Sequence, residues 1–271
     1  MKPAEGMRIL WQSSTALERF PHYADAIRSH AAQRCAAGTT LTVRGVPALA
    51  PEASQLHYRA FDFLNNRALL ESALRAEREG YDAIALGCFL DPVLDELKEA
   101  LDIPVVSLGE TAMHLACTLG RRFAVLSHTA AFNTKFHADL ISKYGLEKHA
   151  GPLVSFDLPF EELMAGLNGD AGACLERIRQ AGRTAVAQGA EVILLGCGMM
   201  NLIGVRNGLA EIDGAVVLDA SGALLKMTEA MVVLRRTSGV KVSRKGYYAR
   251  PPNADIDAVA RAYGLRIDAD K

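Results

Sequence analysis

Two cysteines stand in matching surroundings. Glu79-Gly-Tyr-Asp-Ala-Ile-Ala-Leu-Gly-Cys88 and Gln188-Gly-Ala-Glu-Val-Ile-Leu-Leu-Gly-Cys197 share one pattern: glycine, any residue, an acidic residue, four apolar residues, glycine, cysteine. Two thiols facing one carbon from opposite sides can invert a stereocentre, one removing a proton while the other returns one. An unperturbed thiol has a pKa of about 8.5, so thiolate is a minority form near neutrality. A helix N-terminus favours the anion, and each cysteine precedes a predicted helix. The free N–H groups there would also bind a carboxylate or imide oxygen and stabilise the enolate formed when the proton leaves. Cys35, Cys117 and Cys174 fall on predicted helices and read as small hydrophobes. Five cysteines at scattered spacing make no disulfide framework. No Cys-x-x-Cys pair is present, so no metal is expected.

Each cysteine must be positioned by the strand before it. Ala83-Ile-Ala-Leu86 and Val192-Ile-Leu-Leu195 are apolar throughout and read as buried strands. Further strands are predicted at Arg8–Gln12, Thr40–Val46, Ile103–Ser107, Phe123–Leu126, Leu153–Phe156 and Ala215–Leu218. Between them run helices over 17–35, 59–79, 92–100, 110–119, 130–144, 171–188, 201–209 and 220–236, five of which are stopped by a following glycine: Gly38, Gly80, Gly120, Gly145 and Gly189. A last short helix is predicted over 254–263. Short buried strands alternating with helices give an α/β fold with parallel sheets. The repeated context predicts two pseudo-symmetric lobes flanked by helices, with the active site in the cleft between them. The first comprises 1–108 plus 220–271, the second 109–219. Ligands of open parallel sheets bind at the carboxyl ends of strands, where both cysteines lie.

Composition narrows the partners. The chain has 271 residues, half of them hydrophobic, and a formal net charge of −1. No basic excess points to nucleic acid or to an anionic membrane. Met1–Ser14 carries no signal pattern, and no apolar run nears the roughly 18 residues that span a bilayer. A cytoplasmic protein acting on a small molecule is expected.

Other residues are weighed individually. His128, at a strand end, can tune a thiol or bind substrate, since histidine titrates near neutrality. His114 lies inside a helix and reads as structural. Asp91 is expected to cap the helix at Pro92. Asp219 sits at a strand end facing the cleft, and Glu110 suits the first turn of a helix. Gly196-Cys-Gly198 begins a dinucleotide-type glycine pattern, but Asn201 stands at its third glycine position and leaves the pattern incomplete.

These motifs resemble the aspartate/glutamate/hydantoin racemase superfamily, and its hydantoin racemase branch in particular. The similarity is carried by Gly87-Cys-Phe-Leu-Asp-Pro92, the segment from Leu101 to His114, Gly120-Arg-Arg-Phe-Ala-Val-Leu-Ser127, Gly196-Cys-Gly-Met199 and the stretch from Thr237 to Pro251. The resemblance implies racemisation of 5-substituted hydantoins by Cys88 and Cys197, alternating as base and acid without a cofactor. It further implies substrate contacts at Gln12, Ser13, Phe89, Ser127, Thr129, Gly198 and Met199, and a homo-oligomer is expected. The sequence departs from the family pattern at Trp11-Gln-Ser-Ser14 and at Ser127-His-Thr129, both beside the expected ligand. An Asp/Glu-type amino-acid racemase, a cis–trans isomerase of the same superfamily and a non-enzymatic small-molecule sensor are the alternative readings.

Overall fold

The computed structural model describes residues 6–47, 55 and 58–269. The ends of the expected first lobe, 1–5 and 270–271, lie outside these. The first half runs β1 (Met7–Gln12), α1 (Pro21–Arg34), β2 (Thr39–Arg44), α2 (Arg59–Arg78), β3 (Ala83–Leu86), α3 (Leu94–Ala100) and β4 (Val105–Ser107). Its strands form a parallel sheet in the order β2-β1-β3-β4. Next comes α4 (Leu108–Leu119). The second sheet's region runs β5 (Phe123–Ser127), α5 (Ala130–Phe132), a π-helical turn (Asn133–His137), α6 (Ala138–Lys143), β6 (Ala150–Ser155) and α7 (Phe160–Leu167). It continues through α8 (Gly172–Ala187), β7 (Val192–Leu195), α9 (Gly198–Arg206), β8 (Glu211–Ile212) and β9 (Ala215–Val217). The order is β6-β5-β7-β9-β8, parallel except for the β8–β9 hairpin. The chain then returns through α10 (Ala220–Ser238) and ends with α11 (Asn253–Ala262).

The two cysteine-bearing strands, β3 and β7, are internal in their sheets and fully buried. The glycine that follows each is enforced by packing. A Cβ on Gly87 would lie 2.2 Å from Trp11 Nε1, and one on Gly196 would lie 2.6 Å from His137 Cε1. The repeated Gly-Cys pair is therefore a close-approach site in both halves.

The halves are not independently cored. One apolar cluster runs from Ile9, Trp11 and Tyr23 through Leu108 and Met113 to Leu126, Leu195 and Leu224. α10 packs on α4, α1, α9, β3 and β4, and α4 touches strands of both sheets. A second cluster lies between the first sheet and α2, α3 and α11. The segment between α10 and α11 is fixed by Arg244, whose guanidinium donates to the carbonyls of Lys98 at 2.8 Å and Glu99 at 3.1 Å. These are carbonyls at the C-terminal end of α3, which leaves such groups unpaired. Among the described residues no helix is long and apolar enough to cross a membrane.

Several boundaries depart from expectation. The helix expected from Pro92 begins at Leu94, because Asp91 and Val93 both take φ near +50°. The helix expected from Asn201 begins at Gly198, so Cys197 is itself the N-cap. α7 and the β8 strand were not expected. Asp213 and Gly214, both with positive φ, make the β8–β9 turn, the usual chemistry of a tight hairpin.

Candidate active site

Cys88 and Cys197 occupy loops at the carboxyl ends of β3 and β7, partly exposed. The geometry brings the two loops together. A Cβ built on Gly198, just after Cys197, would lie 3.6 Å from the carbonyl oxygen of Gly87, just before Cys88. The same Cβ would lie 2.7 Å from the hydroxyl of Tyr23. Tyr23 is buried in α1 and feels the charge of both cysteines. It was missed in the sequence, where its apolar helical neighbours make it look like core.

The thiols differ in their partners. Cys197 heads α9, and the N–H groups of Met199 and Met200 favour its anion. Burial outweighs them and raises its pKa. Cys88 has no helix directly after it. Burial pushes it up to about 12, against hydrogen bonds from the Ser14 side chain and the Leu90 N–H, and the charges of Asp62 and Asp91 add to the rise. The expectation that the local setting favours thiolates is thus corrected. Helix N–H groups contribute at Cys197, but desolvation sets the resting form of both thiols.

The expected contact residues fall into two groups. Phe89 lies on the Cys88 loop, Gly198 and Met199 open α9 directly after Cys197, and Ser127, His128 and Thr129 lie at the end of β5 and its following turn. Phe89 is buried edge-on to His137 at 5.4 Å. Ser127 is buried and opposite Ser155 in register. The Thr129 hydroxyl accepts from Ala131 N at 3.3 Å and caps α5. The His128 ring lies 5.1 Å from Phe132. Gln12 and Ser13 are committed within the first half. Gln12 Nε2 donates to the Ser13 carbonyl at 3.0 Å, and its Oε1 accepts from Ser72 Oγ at 2.6 Å. Ser13 Oγ accepts from Thr15 N at 3.1 Å. The next residue, Ser14, is the one whose side chain meets Cys88.

Two acidic residues have other partners than expected. Asp91 does not cap the helix after it. Its Oδ1 accepts from Gly109 N at 2.8 Å and from the Ser107 hydroxyl, so it caps α4. Its Oδ2 accepts from Tyr144 OH at 2.6 Å, tying the Cys88 loop to the end of α6. Burial raises Asp91 to about 6 despite these donors. Asp219 faces α1 instead of the cleft: His30 Nε2 lies 3.1 Å from one oxygen and Arg34 Nε 3.2 Å from the other. Glu110 pairs with Lys98 at 2.6 Å. Asn201 is consumed by the Leu218 carbonyl and Ser221 N, both at 3.0 Å.

His137 is a second residue the sequence did not single out. It is fully buried, Nδ1 lies 2.8 Å from Asn133 Oδ1, and Asn133 Nδ2 donates to Ser155 Oγ at 2.7 Å. Burial lowers its pKa to about 4, which keeps it neutral. Its ring touches Phe89 on one cysteine loop and Gly196 on the other. Among the described residues no cluster of three or more histidine, cysteine or acidic side chains is placed to hold a metal.

The chain is similar to known proteins in both sequence and fold. The model of the family described as Asp/Glu/Hydantoin racemase matches residues 21–228. A hydantoin racemase of Pseudomonas sp. (strain NS671) is 30% identical over 87% of this chain and 90% of its own length. A hydantoin racemase of Paenarthrobacter aurescens is 35% identical over 68% of this chain and 74% of its own. Among solved structures, an allantoin racemase from Klebsiella pneumoniae superposes with a TM-score of 0.76 at 26% identity, covering 91% of this chain and 94% of that one.

Proposed function

The chain belongs to the Asp/Glu/hydantoin racemase family and is an isomerase, and we propose that within it the protein racemises 5-substituted hydantoins or closely related cyclic ureides by a two-base cysteine mechanism. The observation that carries this reading is the meeting of the two Gly-Cys loops, with the position of a Gly198 Cβ only 3.6 Å from the Gly87 carbonyl. One thiolate takes the proton from the ring carbon, whose electron pair moves into the adjacent carbonyl. The opposite thiol then donates its proton to the other face of that carbon. The donated proton leaves the second cysteine as thiolate, ready for the reverse direction. Adjacent carbonyls make such a proton acidic enough for a thiolate without an electron-sink cofactor.

The charges beside Cys88 disfavour a substrate carboxylate placed against that thiol. Asp62 and Asp91 both act on that thiol as negative neighbours, and an added carboxylate would be repelled by them. The experiment is incubation of one enantiomer of 5-benzylhydantoin, and separately of phenylalanine, in heavy water. Loss of optical rotation with deuterium entering the stereocentre is expected for the hydantoin and not for the amino acid. Cys88→Ser and Cys197→Ser should each reduce racemisation by at least three orders of magnitude, in line with the loss of a catalytic group acting as a unit. Full activity in either variant overturns the two-base mechanism.

A further inference from the structure

A separate cavity of about 630 Å³ lies between α4, α10, the open edge of β4 and the segment 241–248. That volume falls within the range of small-molecule sites. Its residues are all distinct from the cysteine loops. The floor is apolar, built from Val106, Leu115, Met227 and Met231. The outer wall is not a loose tail: Arg244 fastens it to the carbonyls of Lys98 and Glu99, and Tyr248 OH donates to Asp95 at 3.0 Å.

The charges around the rim do not cancel. Lys98 is neutralised by Glu110 at 2.6 Å. Asp102 is neutralised by Arg244 at 3.3 Å and Arg250 at 3.5 Å. That leaves Arg235 and Lys241. Arg235 donates to the Asp102 backbone carbonyl at 2.6 Å, and among the described residues neither cation has a carboxylate partner. Two uncompensated cations above an apolar floor select an anion with an apolar body. We infer that this cavity is a second small-molecule site, which takes a medium-chain or aryl-substituted carboxylic acid.

The test is isothermal titration of octanoate into the full-length protein, with octanol as the uncharged control. Saturable binding at one site per chain is expected, at least tenfold tighter for octanoate than for octanol. Met231→Trp, which fills the floor, and Lys241→Glu, which reverses a rim charge, should each weaken it at least tenfold. Lys241 is exposed, so that variant keeps its fold, as a melting curve verifies. Cys88→Ser should bind octanoate as the unaltered protein does, which separates this site from the cysteine cleft. The inference is overturned by non-saturating heats, by equal binding of octanol, by undiminished binding in both variants, or by loss of binding in Cys88→Ser. It is equally overturned if octanoate binds only on dilution, because a second copy of the chain then covers the cavity.

Discussion

A thiol that burial holds neutral gives a rate that depends on pH in a stated direction. Cys88 is pushed up to about 12 and Cys197 is raised as well, so in the free protein the reactive thiolate is scarce at neutrality. kcat/KM for a hydantoin should climb close to tenfold per pH unit between about pH 6 and 8, since it reports the free enzyme's base. A flat profile in that range would show a thiolate already formed. Stability moves the opposite way. An unfolded thiol loses its proton near about 8.5, whereas Cys88 retains it to about 12. The native state therefore binds more protons above that pH, and stability falls as pH rises. Melting temperature should decline above about pH 8.5, less steeply in Cys88→Ser. The loop meeting has its own residue-scale check. Gly198→Ala forces a Cβ against the Tyr23 hydroxyl and should lower stability by about 1–3 kcal/mol, as overpacking does. Adding Tyr23→Phe removes the clashing oxygen and should recover most of that loss. A cycle with no coupling would mean that the two residues do not touch.

At the scale of elements, the most unusual piece is the π-helical turn Asn133–His137 between α5 and α6. Such turns are rare and recur at functional sites. Here it aims Asn133 at Ser155 and places His137 against both cysteine loops. His137→Phe keeps the ring and loses the bond to Asn133. Steady-state kinetics should show kcat reduced by roughly ten- to a hundredfold with KM little changed, because a small shift of a reacting group is enough. A fall in melting temperature alone, with kcat intact, would assign the ring to packing only. Much of the surrounding frame was readable from the residues. β3 and β7 were legible because four apolar residues end at Gly-Cys, and α10 because its pattern is long. The π turn was not, since 130–144 carries ordinary helical periodicity and the extra residue in the turn leaves no compositional mark. The start of α3 was misplaced because Pro92 suits a first helical turn, while the side chain of Asp91 is drawn away to Gly109 and Tyr144. Those bonds come from residues distant in sequence. Gln12 came from the family resemblance, and only the fold shows its carboxamide spent on Ser13 and Ser72.

For the whole molecule, the sequence repeat suggests two lobes, yet the packing joins them. α10 lies on elements of the first sheet after leaving the second, and one apolar cluster crosses between the halves. The hydroxyl of Tyr144 reaches across to Asp91 at 2.6 Å. A hydrogen bond to a charged group contributes about 1.5–3 kcal/mol, so Tyr144→Phe should lower global stability by that order. Shared burial makes opening of one half expose apolar surface on the other, which favours a single cooperative transition. The chain supplies one probe for each half. Trp11 is the only tryptophan in the sequence and is buried beside the first sheet. Cys174 is fully buried on α8 beneath the second. Trp11 fluorescence and Cys174 labelling, the latter read by peptide mass, should follow one urea curve with one midpoint. Tyr144→Phe should shift both curves equally. Separate midpoints, or a shift confined to one probe, would show that each lobe folds on its own core and that the helices between them act only as linkers.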